Sequence, residues 1–183
     1  MAQEVGRGGV HTVSSIIQTI KANFTRPADT TQYASGDAIS DSTSAPTVLT
    51  FANVGRIDSA VVGMGGLIID ALLMSSANQS TKGLFELFLF NVIVTAMEDN
   101  AAFDPTDAEL RTLACAVIPF SVATVGNAAS GASGNCVYEA DNKDVPFQCA
   151  TSDRDLYGVL VARNTYTPVS AERFDIHLLV QPG

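Results

Sequence analysis

Leu84-Phe85-Glu86-Leu87-Phe88-Leu89-Phe90-Asn91-Val92-Ile93-Val94 is apolar at every position except Glu86 and Asn91. Successive side chains of a strand point to opposite faces of its sheet, so a run of this kind needs both faces covered. The stretch predicts a central strand in the middle of the core. A different pattern closes the chain. Phe174, Ile176, Leu178 and Val180 alternate with Asp175 and His177, which predicts a strand with one buried and one wetter face. Between and before these two lie further strand-like runs at Thr47–Ala52, Leu67–Met74, Leu113–Phe120, Val145–Ala150 and Leu156–Arg163, separated by turn-forming residues. Short strands in this number predict a mainly β protein, an antiparallel β-sandwich or jelly-roll-like body.

One short helix is expected after Pro105. Thr106 can accept the first free backbone amide while Glu109, three residues on, reaches back, and Asp107 and Glu109 sit where the helix dipole favours acids. The Gly-, Ala-, Ser- and Asn-rich stretch from Thr124 to Asn135 has little apolar surface and is expected to be an exposed loop. Residues 1–32 differ from the rest. A glycine-rich start at Gly6, Gly8 and Gly9 runs into Val10, Val13, Ile16, Ile17, Ile20 and Phe24, and Pro27 follows. Their spacing suits a helix, yet Ile20, Ala22 and Phe24 also alternate as in a strand. These residues read as an N-terminal arm (1–32) ahead of a sandwich body (33–183).

The 183 residues suit a single domain, and charged residues make up only 16% of them. So few charges on a body of this size leave apolar surface for burial in a core or against other subunits. The net charge is -9. It is unevenly spread: residues 1–26 carry Arg7, Lys21 and Arg26 against Glu4, while the remainder holds seven bases against eighteen acids, net -11. An acidic body argues against nucleic acid as a partner. The longest apolar stretch, Val61–Met74, is broken by Gly63, Gly65, Gly66 and Asp70 and falls short of the roughly 20 residues that cross a bilayer. No leader pattern opens the chain. A soluble protein made in the cytoplasm, without a membrane partner, is expected.

Few residues carry chemistry. His11 and His177 are the only histidines. His177 shares a strand face with Asp175, but no nucleophile motif accompanies the pair, so it reads as a surface contact, and His11 as a contact of the arm. Cys115, Cys136 and Cys149 are odd in number and lack zinc spacing. Cys115 and Cys149 lie among apolar residues and read as buried packing, whereas Cys136 follows the flexible stretch and is expected to be exposed. Glu98, Asp99, Asp104, Asp107 and Glu109 crowd one segment, but Ala101, Ala102 and Phe103 occupy the middle, where a calcium loop needs oxygen ligands. Gly63-Met64-Gly65-Gly66 is an incomplete phosphate-loop pattern and reads as a turn leading into a strand. No catalytic residue, cofactor or metal is implied.

Several segments, in order, resemble one family. They are Tyr33-Ala34-Ser35-Gly36-Asp37-Ala38-Ile39, then Leu49-Thr50-Phe51-Ala52-Asn53 leading to Arg56, then Gly65-Gly66-Leu67-Ile68 and Leu87-Phe88-Leu89-Phe90. Asp99-Asn100-Ala101-Ala102-Phe103 with Asp107 follows, and Leu156-Tyr157-Gly158-Val159-Leu160-Val161-Ala162-Arg163 closes the series. Together they are similar to virion structural proteins of tailed bacteriophages of the head-decoration, or capsid cement, type. The resemblance implies a sandwich or jelly-roll-like body on the capsid surface. It also implies binding across subunits of the major capsid protein, a homotrimer as the working unit, and synthesis in the host cytoplasm. The stretch Asp41–Pro46 and the arm before Tyr33 depart from the pattern. On this reading the arm is the attachment element, with Arg7, Val10, His11, Val13, Ile16, Ile17, Ile20, Lys21, Phe24 and Arg26 as the expected contacts. A tail, neck or fibre-associated virion protein, or a carbohydrate-binding β-module, is the competing class. The absence of Trp and the presence of only four Tyr equip the chain poorly for stacking on sugars.

Overall fold

A computed structural model of the protein describes residues 17–55, 65–77, 79, 81–125, 135–151 and 153–183. Its elements in chain order are β1 (Gln18–Thr25), β2 (Ala38–Ile39), β3 (Leu49–Phe51), β4 (Gly65–Ser75), β5 (Phe85–Phe90), α1 (Asp107–Leu110), β6 (Ile118–Phe120), β7 (Val122–Val125), β8 (Cys136–Glu139), β9 (Val145–Gln148), β10 (Leu156–Ala162) and β11 (Arg173–Pro182). Every strand pairing is antiparallel. One sheet runs β1-β11-β4-β8-β7, with β9 on the other end of β4; the second runs β2-β10-β5-β6, with β3 beside β2 on β10. The chain passes back and forth between the sheets, so that first and last strands are neighbours in one and β10 lies between β3 and β5 in the other. This is the strand order of a jelly roll.

The alternation of side chains explains the layers. Phe85, Leu87 and Leu89 of β5 and Leu156, Leu160 and Ala162 of β10 face the first sheet, where they meet Phe174, Ile176, Leu178 and Val180 of β11. The opposite faces of β5 and β10 are apolar as well. Phe88, Phe90, Tyr157, Val159 and Val161 form a second core, roofed by Val94, Met97, Phe103, Leu113 and Val117 from the connection between β5 and β6. The central position expected for the Leu84–Val94 stretch is met by Phe85–Phe90, with β5 between β10 and β6, but the strand stops at Phe90, and Leu84, Val92 and Ile93 are exposed.

The expected helix is present as α1, capped reciprocally by Thr106 and Glu109. The strand expected over Leu113–Phe120 is reduced to Ile118–Phe120, because Leu113 and Val117 are drawn down onto the outer face of the second sheet. The stretch expected to be a loop from Thr124 begins inside β7, which pairs with β8; residues 126–134 lie outside the described residues. Gly65 and Gly66 open β4 rather than forming a turn before it. A side chain on Gly66 would meet the Gln181 carbonyl oxygen at 2.6 Å and the Phe147 ring at 2.8 Å, so the sequence needs glycine where β4 passes between β9 and β11.

Candidate interaction surface

The boundary drawn at residue 32 does not divide the structure. β1 pairs with β11 over its whole length, from Gln18↔Val180 to Thr25↔Arg173, and Ile20 and Phe24 pack on the protein's own core. The period-two alternation wins over the helical spacing because β11 offers an apolar face in register. Arg26, expected to meet a partner, is 2% exposed and belongs to an internal network. Its Nη2 donates to Asp99 Oδ2 at 2.9 Å and its Nε donates to the Tyr33 hydroxyl. Tyr33 in turn donates to Asp99 Oδ1 at 2.5 Å, which also accepts from the Ser40 amide at 3.0 Å. A buried guanidinium persists because a carboxylate and a phenol surround it. Burial, then Asp99, pushes the Tyr33 phenol up from its ordinary pKa. Arg7, Val10, His11, Val13 and Ile16 lie outside the described residues. Ile17, 55% exposed, and Lys21, on the outer face of β1, remain on the surface.

A second internal network lies near the first. Glu172, 0% exposed, accepts from Tyr166 at 2.6 Å, from Ser75 and from the Val169 amide at 3.1 Å. Its carbonyl accepts from the Arg26 amide at 2.9 Å, tying the two networks together. Nothing in the sequence marks Asp99 or Glu172 as interior: Asp99 meets Arg26 from 73 residues away, and Glu172, besides its near neighbours Tyr166 and Val169, meets Ser75 from 97 residues away.

The remaining candidates serve structure. Asp175 is held by Arg173, with Nη2 at 2.7 Å and Nε at 2.9 Å, instead of orienting His177. Burial, then Lys21 across the strand pair, lowers the pKa of His177. Cys136 is 1% exposed, contrary to expectation, because β8 turns it into the core. Burial pushes the Cys115 thiol up to about 12, and burial with Asp153 and Asp155 pushes Cys149 up to about 11. Among the described residues, no group of three or more His, Cys, Asp or Glu is placed to hold a metal. No described helix is long and apolar enough to cross a membrane.

Glu109 supplies a test of the cap. Amide hydrogen bonds from Thr95 and Thr106 hold its carboxylate well below the usual range, at about 2. A carboxylate depressed on folding stabilises the native state above its unfolded pKa, and that contribution fades as pH falls from about 4.5 toward about 2. Denaturant melts of the protein and of Glu109→Gln are expected to differ at pH 6 and to converge near pH 2. A constant difference over that range would show that the charge plays no part.

A slot of about 290 Å³ opens beside β1, lined from both sheets. One wall is β1 from Lys21 to Phe24. Further lining comes from Ile39 to Asp41 and Thr47 to Thr50, where the chain leaves and rejoins the second sheet, and from Met97 and Val159. At the near end the sheets are pinned, since the Gln18 side chain donates to the carbonyls of Asn53 at 3.2 Å and Val54 at 3.4 Å. Comparison of the chain with protein-family models and with curated proteins finds no match.

Proposed function

We propose that this chain is a non-enzymatic virion structural protein that decorates and stabilises a phage capsid by binding across major capsid protein subunits. The observation that carries the reading is where the resembling segments come to lie. Tyr33–Ile39 runs into β2, Leu49–Asn53 contains β3, Leu87–Phe90 is the end of β5, and Leu156–Arg163 contains β10. Asp99–Phe103 contributes to the roof over the same sheet. Most of the resembling segments thus lie on one sheet and its cover, while Gly65–Ile68 opens β4 in the other sheet. A double-sheet jelly roll is also a scaffold that capsid-associated and lectin domains share, an analogy of fold that leaves function to the surface.

On this proposal the working unit is a homotrimer, whose several weak contacts act together on a lattice. The structure changes the test of the arm. Removing residues 1–26 would take away β1 and Arg26 and unfold part of the body, so the informative deletion stops at residue 16. Antibody against the chain is expected to decorate the heads of purified particles. Protein lacking residues 1–16 is expected to melt as the full chain does, yet bind stripped heads at least about tenfold more weakly, since three arms are lost at once. Label confined to tails, or undiminished binding by the shortened chain, would sink the corresponding part of the proposal.

A further inference from the structure

We infer that the outer face of the six-stranded sheet pairs with the same face of a second copy of this chain, about a two-fold axis that runs along the strands. The solvent side of an antiparallel sheet is ordinarily polar. Here Leu67, Leu72 and Met74 of β4, Val137 of β8 and Leu179 of β11 are partly exposed and belong to neither core cluster. The register sets them side by side. One row across the sheet reads Lys21, His177, Leu72, Glu139, and the next reads Asn23, Asp175, Met74, Val137. Leu179 and Leu67 carry the apolar strip further along β11 and β4. The acids within the strip are already paired inside the chain, Asp175 with Arg173 at 2.7 Å and Asp70 with Lys143.

The charges at the ends of the first row select the occupant. Lys21 on β1 and Glu139 on β8 are both exposed, and neither takes part in a described ion pair. Three strand spacings of about 4.8 Å hold them about 14 Å apart, too far to pair within one chain. An axis along the strands reverses their order in the facing copy, so that each Lys21 meets Glu139 of the second copy while the strips on β11 and β4 overlie one another. That is the aligned packing that twisted sheets favour. An axis across the strands would set Lys21 on Lys21 and Glu139 on Glu139, which like charges oppose. A face that complements itself in this way suits two-fold pairing. Four strands over about eight residues offer a sheet plane of about 500 Å², less than the roughly 800 Å² per partner of a stable interface. The pairing is therefore weak, with a dissociation constant on the order of 10–100 µM. A two-fold contact cannot close a ring of three, so the inference does not rest on the capsid reading, and where trimers form it would join them in pairs.

The test is sedimentation equilibrium of the full chain from about 2 µM to about 500 µM, a range that brackets such a constant. The mass is expected to double across it, from one copy to two, or from three to six where the base unit is a trimer. Leu72→Lys is expected to remove the doubling. Lys21→Glu and Glu139→Lys, each of which sets like charges together at both ends of the contact, are expected to weaken association by about tenfold. An equimolar mixture of these two variants is expected to recover it, since every facing pair is then opposite in sign again. All three substitutions fall on outward positions and are expected to leave the thermal melt close to that of the parent. No doubling at the highest concentration, charge reversals without effect, or a mixture that associates no better than its parts would each overturn the inference. So would doubling seen only after residues 1–16 are removed, which would show that the chain's own first segment covers the face.

Discussion

Replacing Asp99 by alanine is expected to remove about 3–5 kcal/mol of folding stability, the cost of stranding one partner of a buried ion pair. The side chains of Arg26 and Asp99 are 0% and 1% exposed, so water cannot take over when the carboxylate leaves. The guanidinium is left with only its longer pairing to the partly exposed Asp29 at 3.4 Å, and the Tyr33 hydroxyl and the Ser40 amide lose their acceptor. Against a typical total of about 5–15 kcal/mol the loss is large, and for a chain of this size it corresponds to a fall in melting midpoint of about 6–20 °C. Replacing both ends, Arg26→Met with Asp99→Leu, should cost much less than the two single changes added together, because no charge is left buried. Urea melts of the four proteins give the coupling directly. A single-mutant loss below about 1 kcal/mol would mean that the pair is solvated and not the internal clamp described above.

Phe85→Ala should be comparably damaging for a different reason. Phe85 is 1% exposed, and other rings meet it nearly edge-on. They are Tyr138 at 5.1 Å and 82°, Tyr166 at 5.4 Å and 84°, and Phe174 at 5.7 Å and 71° between centroids and planes. Truncation opens a cavity bounded by three rings from three strands or loops, and Phe→Ala changes in such sites cost about 3–5 kcal/mol. Phe85→Leu should recover more than half of the loss, and the near-ultraviolet dichroism of Tyr138 and Tyr166 should weaken in the alanine variant even under conditions where it stays folded. Unchanged dichroism with an unchanged melt would show that the ring cluster does not order this end of the core.

The parts of this architecture that could be read from the sequence are those fixed by local pattern. The two-faced apolar run of β5, the alternation of β11 and the Thr106/Glu109 cap each depend on residues close in sequence, and each is found in place. What escaped depends on remote partners. Ile20, Ala22 and Phe24 carry the strand alternation in plain view, but the strand that gives it meaning begins at Arg173, and three basic residues among sparse acids made the segment resemble a free arm. Arg26 reads as a surface cation until Asp99 is brought beside it. Cys136 follows a glycine-rich stretch, which says nothing of the turn that points it inward. The slot is less legible still, since it is made by a gap between two sheets and has no residue pattern of its own.

The pairing of β1 with β11 also has a consequence for how the protein comes into being. Gln18 has Val180 as its partner, so the strand made first in this sheet waits for the one made last. At synthesis rates of about 5–20 residues per second, that interval lasts several seconds or more. During it, Ile20 and Phe24 have no sheet to cover them. Long-range closure of this kind also slows folding, because the loop entropy is lost before the contacts that offset it are made. A ribosome stalled just short of β11 should therefore hold a chain whose first strand can be captured by a chaperone or by a neighbouring nascent copy. Emergence of β11 would then act as the step that commits each molecule to its own sheet.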